Sequence, residues 1–381
     1  MYTRSQFDVI CKGVMLKIKR FSKTIIFGGL VIGIGLISGC AGQTIGGPFA
    51  AEFVYVATGG GVAQYAVNIS GQLAPMSPAE VVTTPTATTS VWVAASKNAK
   101  YAYTADGPQG KISQYSISAA GTLIALTPPT VVSGTNTNCV TITPDTKFVY
   151  GMNQGDDTIK QFAIGTDGTL SVLTPATVGI NSGGETMVIS PDGKYLYACC
   201  SGGSAIDAFS IGTNGQLTPL TVPSYSVPGA TGATISPDGK YLYCPSNSDT
   251  AQFSIGTNGA LTPLSPATVA GPGVGNTSFA VSANGKYGYL GVFNGGNPGS
   301  PVGQYSIGTS GTLSPLSPAS VPAGNAPVSI ITEPAGNYVF VANSNDNRIY
   351  EYLVGIDGTL SPETPAFVTA SGARQMCVIT R

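Results

Sequence analysis

The chain has 381 residues, with 17 Lys+Arg, 18 Asp+Glu and no histidine, and its charged share of 9 % is well below the usual value of about 25 %. Without imidazole there is no Ser-His-Asp or Cys-His nucleophile system, no histidine proton shuttle and no His-ligated metal. The lack of any positive excess argues against nucleic-acid binding, and 42 % apolar residues at low net charge argue against disorder.

The first forty residues read as an address. Residues 17–23 are basic, 24–37 form an apolar run, and Leu36-Ile37-Ser38-Gly39-Cys40 follows. A charged segment, a short apolar segment and a small-residue cleavage site describe a secretory signal. The last five residues resemble the bacterial lipobox, in which the cysteine is acylated, with palmitate-type chains, and becomes the mature N-terminus. The apolar run is short of the roughly 20 residues that a spanning helix needs. Residues 1–39 are therefore expected to be a lipoprotein signal, with Met15 as a candidate start. Cys40 is the expected lipidation site, and residues 40–51 a short tether. Ala41 resembles the outer-membrane sorting pattern, so the mature protein is expected in the cell envelope, facing the periplasm or the cell surface. Without the signal the chain carries 11 basic and 17 acidic residues, a net of −6.

From residue 52 onward one unit recurs seven times. Gly-x-Leu stands at Gly71, Gly121, Gly168, Gly215, Gly259, Gly311 and Gly358. An aromatic-x-aromatic triplet precedes each, beginning at Phe53, Tyr101, Phe148, Tyr195, Tyr241, Tyr287 and Tyr338. Each unit resolves into four strands. Strand A is an apolar run such as Met187-Val188-Ile189, ending in Ser190-Pro191-Asp192-Gly193-Lys194, a tight-turn sequence. Strand B holds the aromatic triplet, and strand C is of the Gln161-Phe162-Ala163-Ile164 type. Asn214-Gly215 and Asn258-Gly259 turn the chain into strand D. Period-2 alternation predicts strands throughout, and no stretch shows a convincing helical period.

A period near 47 residues built of four antiparallel strands predicts an all-β, seven-bladed β-propeller over 52–381. The first unit lacks a strand A of its own, and the run 375–379 follows the last strand D without partners. That run is expected to supply strand A of the first blade, closing the ring and hiding two sheet edges.

The repeat Ser-Pro-Asp-Gly-Lys-Tyr-Leu-Tyr, followed by Phe-Ser-Ile-Gly-Thr-Asn-Gly-x-Leu-Thr-Pro-Leu, resembles the lactonase-type seven-bladed propellers, which include 6-phosphogluconolactonase and YVTN-type repeats. The resemblance covers about residues 52–381 and implies a lactone hydrolase or lactonising enzyme working at the channel mouth with His, Arg and Glu. This chain has no His, and Lys100, Lys147, Lys194, Lys240 and Lys286 all start strand B on the face opposite the mouth. A phosphosugar substrate is therefore disfavoured.

Two charges are expected at the mouth: Glu185, just before strand A of blade 4, and Arg374, just before strand A of blade 1. Equivalent positions in other blades are read as Ser90, Asn138 and Thr277. A carboxylate and a guanidinium there would activate water and polarise a lactone carbonyl, although blades 1 and 4 lie nearly opposite. The B-to-C loops add Asp106, Asp156, Asp157, Asp249, Asp346, Arg348 and Phe293 as candidate binding-loop residues. Their spacing fits Asx turns better than a cation loop, so no metal and no cofactor are expected. Cys139, Cys199, Cys200, Cys244 and Cys377 show neither a disulfide nor a zinc spacing, and Trp92 is read as a packed strand residue. The main expectation is a monomeric, lipid-anchored module that binds a protein, glycan or small molecule and no nucleic acid. Lactone hydrolysis is the alternative.

Overall fold

A computed structural model of the protein describes residues 6–11, 14–19, 52–82, 90–296 and 299–381. The chain divides into two units, Met1–Pro48 and Phe49–Arg381. In the first, strands Gln6–Cys11 and Val14–Lys19 pair as an antiparallel hairpin. Cys40 and the expected tether lie outside the described residues. No helix among the described residues is long and apolar enough to cross a membrane.

The second unit is the expected propeller: seven four-stranded antiparallel sheets, with strands in chain order from the inside outward. Blade 2 runs Trp92–Ala95, Tyr101–Ala105, Lys111–Ile117 and Leu123–Val132. Blade 3 runs Thr137–Ile142, Phe148–Asn153, Thr158–Ile164 and Leu170–Gly179. Blade 4 runs Gly184–Ile189, Tyr195–Cys200, Ala205–Ile211 and Leu217–Ser226. Blade 5 has a short strand A, Thr234–Ile235, then Tyr241–Pro245, Asp249–Ile255 and Leu261–Ala270. Blade 6 runs Asn276–Val281, Tyr287–Val292, Pro301–Ile307 and Leu313–Pro322. Blade 7 runs Pro327–Thr332, Tyr338–Asn343, Arg348–Val354 and Leu360–Thr369. Blade 1 takes strand A, Met376–Thr380, from the chain's end and continues with Glu52–Ala57, Gly61–Val67 and Leu73–Val82. Closure sets Cys377 opposite Tyr55 and Ile379 opposite Phe53, antiparallel.

The two repeated signatures lock neighbouring blades together. Strand B is covered on both faces by adjacent sheets, so its second aromatic is wholly buried, as at Tyr55, Tyr103, Tyr150, Tyr197, Tyr243 and Tyr289. Each of these hydroxyls donates to the carbonyl of the next blade's Gly-x-Leu glycine, from Tyr55 to Gly121 at 2.6 Å through to Tyr289 and Gly358 at 2.9 Å. Only Phe340, at the seventh position, cannot donate. The first aromatic of the triplet lies against the same glycine. At Gly168 a Cβ would overlap the Tyr101 ring, and at Gly71 the Tyr338 ring, while φ of +88° and +79° at these two glycines suits residues without a Cβ. Each inter-blade Tyr–Gly bond contributes about 1 kcal/mol net. The recurring triplet and Gly-x-Leu are therefore two halves of one joint.

Candidate functional site: the mouth of the central channel

The A-to-B and C-to-D turns all lie on one face of the ring, so the D-to-A and B-to-C connections form the other. The turn face carries the three ion pairs found among the described residues, Lys147–Asp145, Lys194–Asp192 and Lys240–Asp238, at 3.2–3.3 Å. These exposed pairs are worth at most about 1 kcal/mol each and leave five lysines far from the mouth in topology.

On the mouth face, strand A of blades 3, 4, 6 and 7 is bulged near its start, at Asn138, Glu185, Thr277 and Val328. A bulge inserts one unpaired residue and re-aims its side chain, and here it aims into the channel. The matching residues of the other blades, by their pairing to strand B, are Arg374, Val91 and Thr231. All seven line one cavity of about 490 Å³. The expected equivalence of Ser90 is corrected by one residue: Val91 takes the bulge position, and Ser90 is fully buried, donating to Asp106 at 3.1 Å.

Among the described residues, Glu185 and Arg374 are the only charged ones lining this cavity. Glu185 is half-buried. Its Oε1 accepts from Ser201 Oγ at 2.7 Å and from Gln154 Nε2 at 3.5 Å. These bonds hold a carboxylate in place at the cavity wall while leaving its second oxygen free of protein donors among the described residues. Arg374 is exposed and forms no ion pair among the described residues. Its neighbour Gln375 is fixed by Oε1 accepting the Val93 amide of blade 2 at 3.1 Å. The rest of the lining is mainly hydroxyl, amide and aliphatic, and the next position along strand A of blade 2 is Trp92, half-buried, which also lines the cavity. Its position within a strand predicts a packed residue. It does pack between blades 2 and 3, but its place one residue after the bulge also brings it to the channel.

The loop candidates divide differently from expectation. Asp106 is not a surface ligand: it is 1 % exposed and its carboxylate accepts from Ser90, Thr104 at 3.0 Å and Ser113 at 2.5 Å. Burial pushes its carboxyl up, against the lowering effect of these hydroxyls. Asp156 and Asp346 tie the B-to-C loop to the preceding D-to-A loop, each accepting a backbone amide at 3.1 Å, from Thr135 and Asn325. Asp157 does the same for Gly183 across to blade 4 at 3.1 Å, and Asp249 pairs with Ser246. Arg348 stacks over Phe367, 3.9 Å from the ring centroid, and Phe293 is 37 % exposed on the long blade 6 loop. None of these seven lines the channel cavity. Among the described residues no group of three or more His, Cys, Asp or Glu is gathered to hold a metal ion.

A family model described as "Lactonase, 7-bladed beta-propeller" matches residues 122–232, from the end of blade 2 to the start of blade 5. No curated protein matches the chain in sequence. Solved structures match over nearly the whole chain. A putative 6-phosphogluconolactonase from Bacteroides fragilis has a TM-score of 0.75 at 22 % identity, covering 89 % of this chain and 100 % of its own. A periplasmic gluconolactonase from Pseudomonas aeruginosa has 0.71 at 16 %, covering 87 % and 99 %. A functionally unknown protein from Desulfotomaculum acetoxidans has 0.68 at 14 %, covering 86 % and 98 %. The chain is thus similar to the lactonase-type propellers in fold throughout and in sequence over its middle blades.

Proposed function

We propose that the channel mouth binds and hydrolyses an unphosphorylated sugar-type lactone, with Glu185 as general base and Arg374 as the group that meets developing negative charge. The observation that carries this reading is that the two charged side chains of the mouth share one cavity whose other described lining residues are uncharged. In the proposed reaction Glu185 takes a proton from water as its oxygen attacks the lactone carbonyl carbon. The carbonyl oxygen becomes an oxyanion beside Arg374. The ring C–O bond then breaks, and the proton passes from Glu185 to the departing alkoxide, giving a hydroxy acid. Both groups act at one carbonyl, so the lactone carbonyl has to sit between them, in the cavity that they share from blades 4 and 1.

A single mouth cation suits a neutral lactone better than a phosphosugar. The likeness to a protein described as a periplasmic gluconolactonase supports the same choice. The test is a panel of sugar lactones, phosphorylated and not, given to the purified protein. Hydrolysis of an unphosphorylated lactone above its spontaneous rate supports the reading, and no acceleration of any lactone overturns it.

A second reading is a binding or scaffold module for a protein or glycan in the cell envelope. It is favoured by the absence of any imidazole and by the predominance of hydroxyl and amide groups in the lining. Recovery of one partner from envelope extracts, lost when the mouth is altered at Arg374→Gln, supports it. In either reading we propose that the protein is exported and held to the envelope by acylated Cys40. Cys40→Ala is then expected to release it from membranes, and continued membrane association contradicts the anchor.

A further inference from the structure

The channel cavity does not end at the ring of strand A side chains. A second cavity, of about 440 Å³, opens beside it between blades 7, 1 and 2. The two share Val91, Trp92, Val328, Arg374 and Gln375 as a common wall. The side groove adds Ser344 and Asn345 from the B-to-C loop of blade 7 and Gly372 from the last D-to-A loop. That loop is pinned, because the Gly372 amide donates to Asn347 Oδ1 at 2.7 Å.

At its position on strand A, Trp92 stands alone in kind. The corresponding residues of the other blades are Cys139, Thr186, Gly232, Ser278, Ser329 and Gln375, none of them aromatic. A half-buried indole at the junction of two cavities of mixed polar and apolar lining is open to a ligand in either. Its cost in exposed apolar surface is offset when a ligand covers it. The apolar C–H face of a pyranose fits such a ring, while the hydroxyls around its edge suit the Ser344 hydroxyl, the Asn345 amide and the Arg374 guanidinium.

We propose that the lactone carries a second, glycosidically linked sugar, and that Trp92 with the blade 7 groove is the subsite for it. The inference rests on the lactonase reading for the reacting end only. The carboxylate formed from the lactone sits by Arg374, at the wall shared with the groove, and the attached pyranose stacks on Trp92. The ligand class is therefore a glycosyl aldonolactone and its acid.

Trp92 is the single tryptophan of the chain, so its emission reports on this subsite without a label. Lactobionate, a galactosyl gluconate, is titrated beside gluconate, with affinities read by calorimetry and occupancy of the groove by emission. Lactobionate is expected to move the emission saturably and to bind at least tenfold tighter than gluconate. In Trp92→Ala the ratio of the two affinities is expected to fall to about one, with Trp92→Phe restoring part of it. Equal affinities in the wild-type protein, emission unmoved by bound lactobionate, or an unchanged ratio in Trp92→Ala overturns the proposal. The wild-type titration stands even if the alanine variant does not fold. Hydrolysis of gluconolactone without a lactobionate preference removes the subsite and leaves the lactonase reading. A Trp92-dependent preference without hydrolysis does the reverse.

Discussion

The amide of Leu73 donates to Oε2 of Glu351 at 3.3 Å, across the seam where the last blade meets the first. At the same place in five other blades stands a glutamine: Gln64, Gln114, Gln161, Gln252 and Gln304. The Oε1 of each accepts the leucine amide of the next blade's Gly-x-Leu at 2.5–2.7 Å. The Nε2 of each donates to a proline carbonyl of its own strand D at 2.9–3.0 Å. Blade 4 has Ala208 there, and the Tyr225 hydroxyl accepts the Leu261 amide instead, at 2.9 Å. Glu351 alone brings a carboxyl to this latch. It is 1 % exposed, and its Oε1 has no hydrogen-bond partner. Only a protonated carboxyl can donate as the glutamines do.

Burial, helped by the nearby charge of Glu363 and opposed by the Leu73 amide, raises the Glu351 carboxyl from 4.5 to about 7. The folded chain therefore keeps a proton that the unfolded chain releases between these values. Stability from this group is fully present below about pH 4.5 and is lost as pH rises through about 7. Glu351→Gln is expected to change little at pH 5 and to stabilise the propeller by roughly 1–3 kcal/mol at pH 8. Thermal unfolding at the two pH values checks this, and a variant less stable than the parent at pH 8 contradicts it. Glu52, also at this seam, is raised to about 7 by burial and by its contact with Glu333 of blade 7, so Glu52→Gln is expected to act in the same direction.

The inter-blade joint is testable at its two halves. Gly168→Ala places a Cβ in the Tyr101 ring at a φ of +88° and is expected to cost at least about 2 kcal/mol. Tyr103→Phe removes only the hydroxyl that donates to Gly168 and is expected to cost about 1 kcal/mol. Chemical denaturation of both variants reads the difference. A glycine variant as stable as the parent contradicts the joint.

The five cysteines of the propeller are free, and four of them are buried. Cys199 and Cys244, on strands B of blades 4 and 5, lie with their sulfurs 3.7 Å apart. Burial pushes the Cys377 thiol up to about 12 and holds those of Cys139 and Cys200 higher still. Low thiolate content and burial together make a thiol unreactive. A disulfide-exchange reagent is expected to label the four buried cysteines only after denaturation, under reducing purification. Rapid labelling of these four in the native propeller contradicts this packing.

Much of this was legible in the chain because the repeat states it seven times. The aromatic triplets and Gly-x-Leu mark two of the four strands in every blade, Pro-Asp-Gly marks the A-to-B turn in blades 4 and 5, and the orphan run 375–379 marks the closure. Glu185 and Arg374 were legible as mouth charges because they stand at the start of the strand A sequence, where the other blades carry uncharged residues, although Glu185 lies at a bulge inside the strand and not before it. The bulge was not, since an unpaired residue leaves no periodic trace, and it shifted the alignment of Ser90 by one. Asp106 looks like any loop acid until its three hydroxyl partners, from 90, 104 and 113, are brought together by pairing. Trp92 reads as a strand residue because one face of it is packed, and only the neighbouring blades show that its other side meets two cavities. Glu351 is a one-atom departure from glutamine whose consequence depends on the Leu73 amide, 278 residues away.

In the proposed reaction Glu185 removes a proton from water at the channel mouth. The most direct test is the initial rate of gluconolactone hydrolysis by wild-type protein and Glu185→Gln, each corrected for spontaneous opening and matched for folded protein by thermal unfolding. Loss of a positioned general base is expected to lower the rate by about 10²–10⁴-fold with the unfolding temperature unchanged. Equal rates in the two proteins would contradict this role for Glu185.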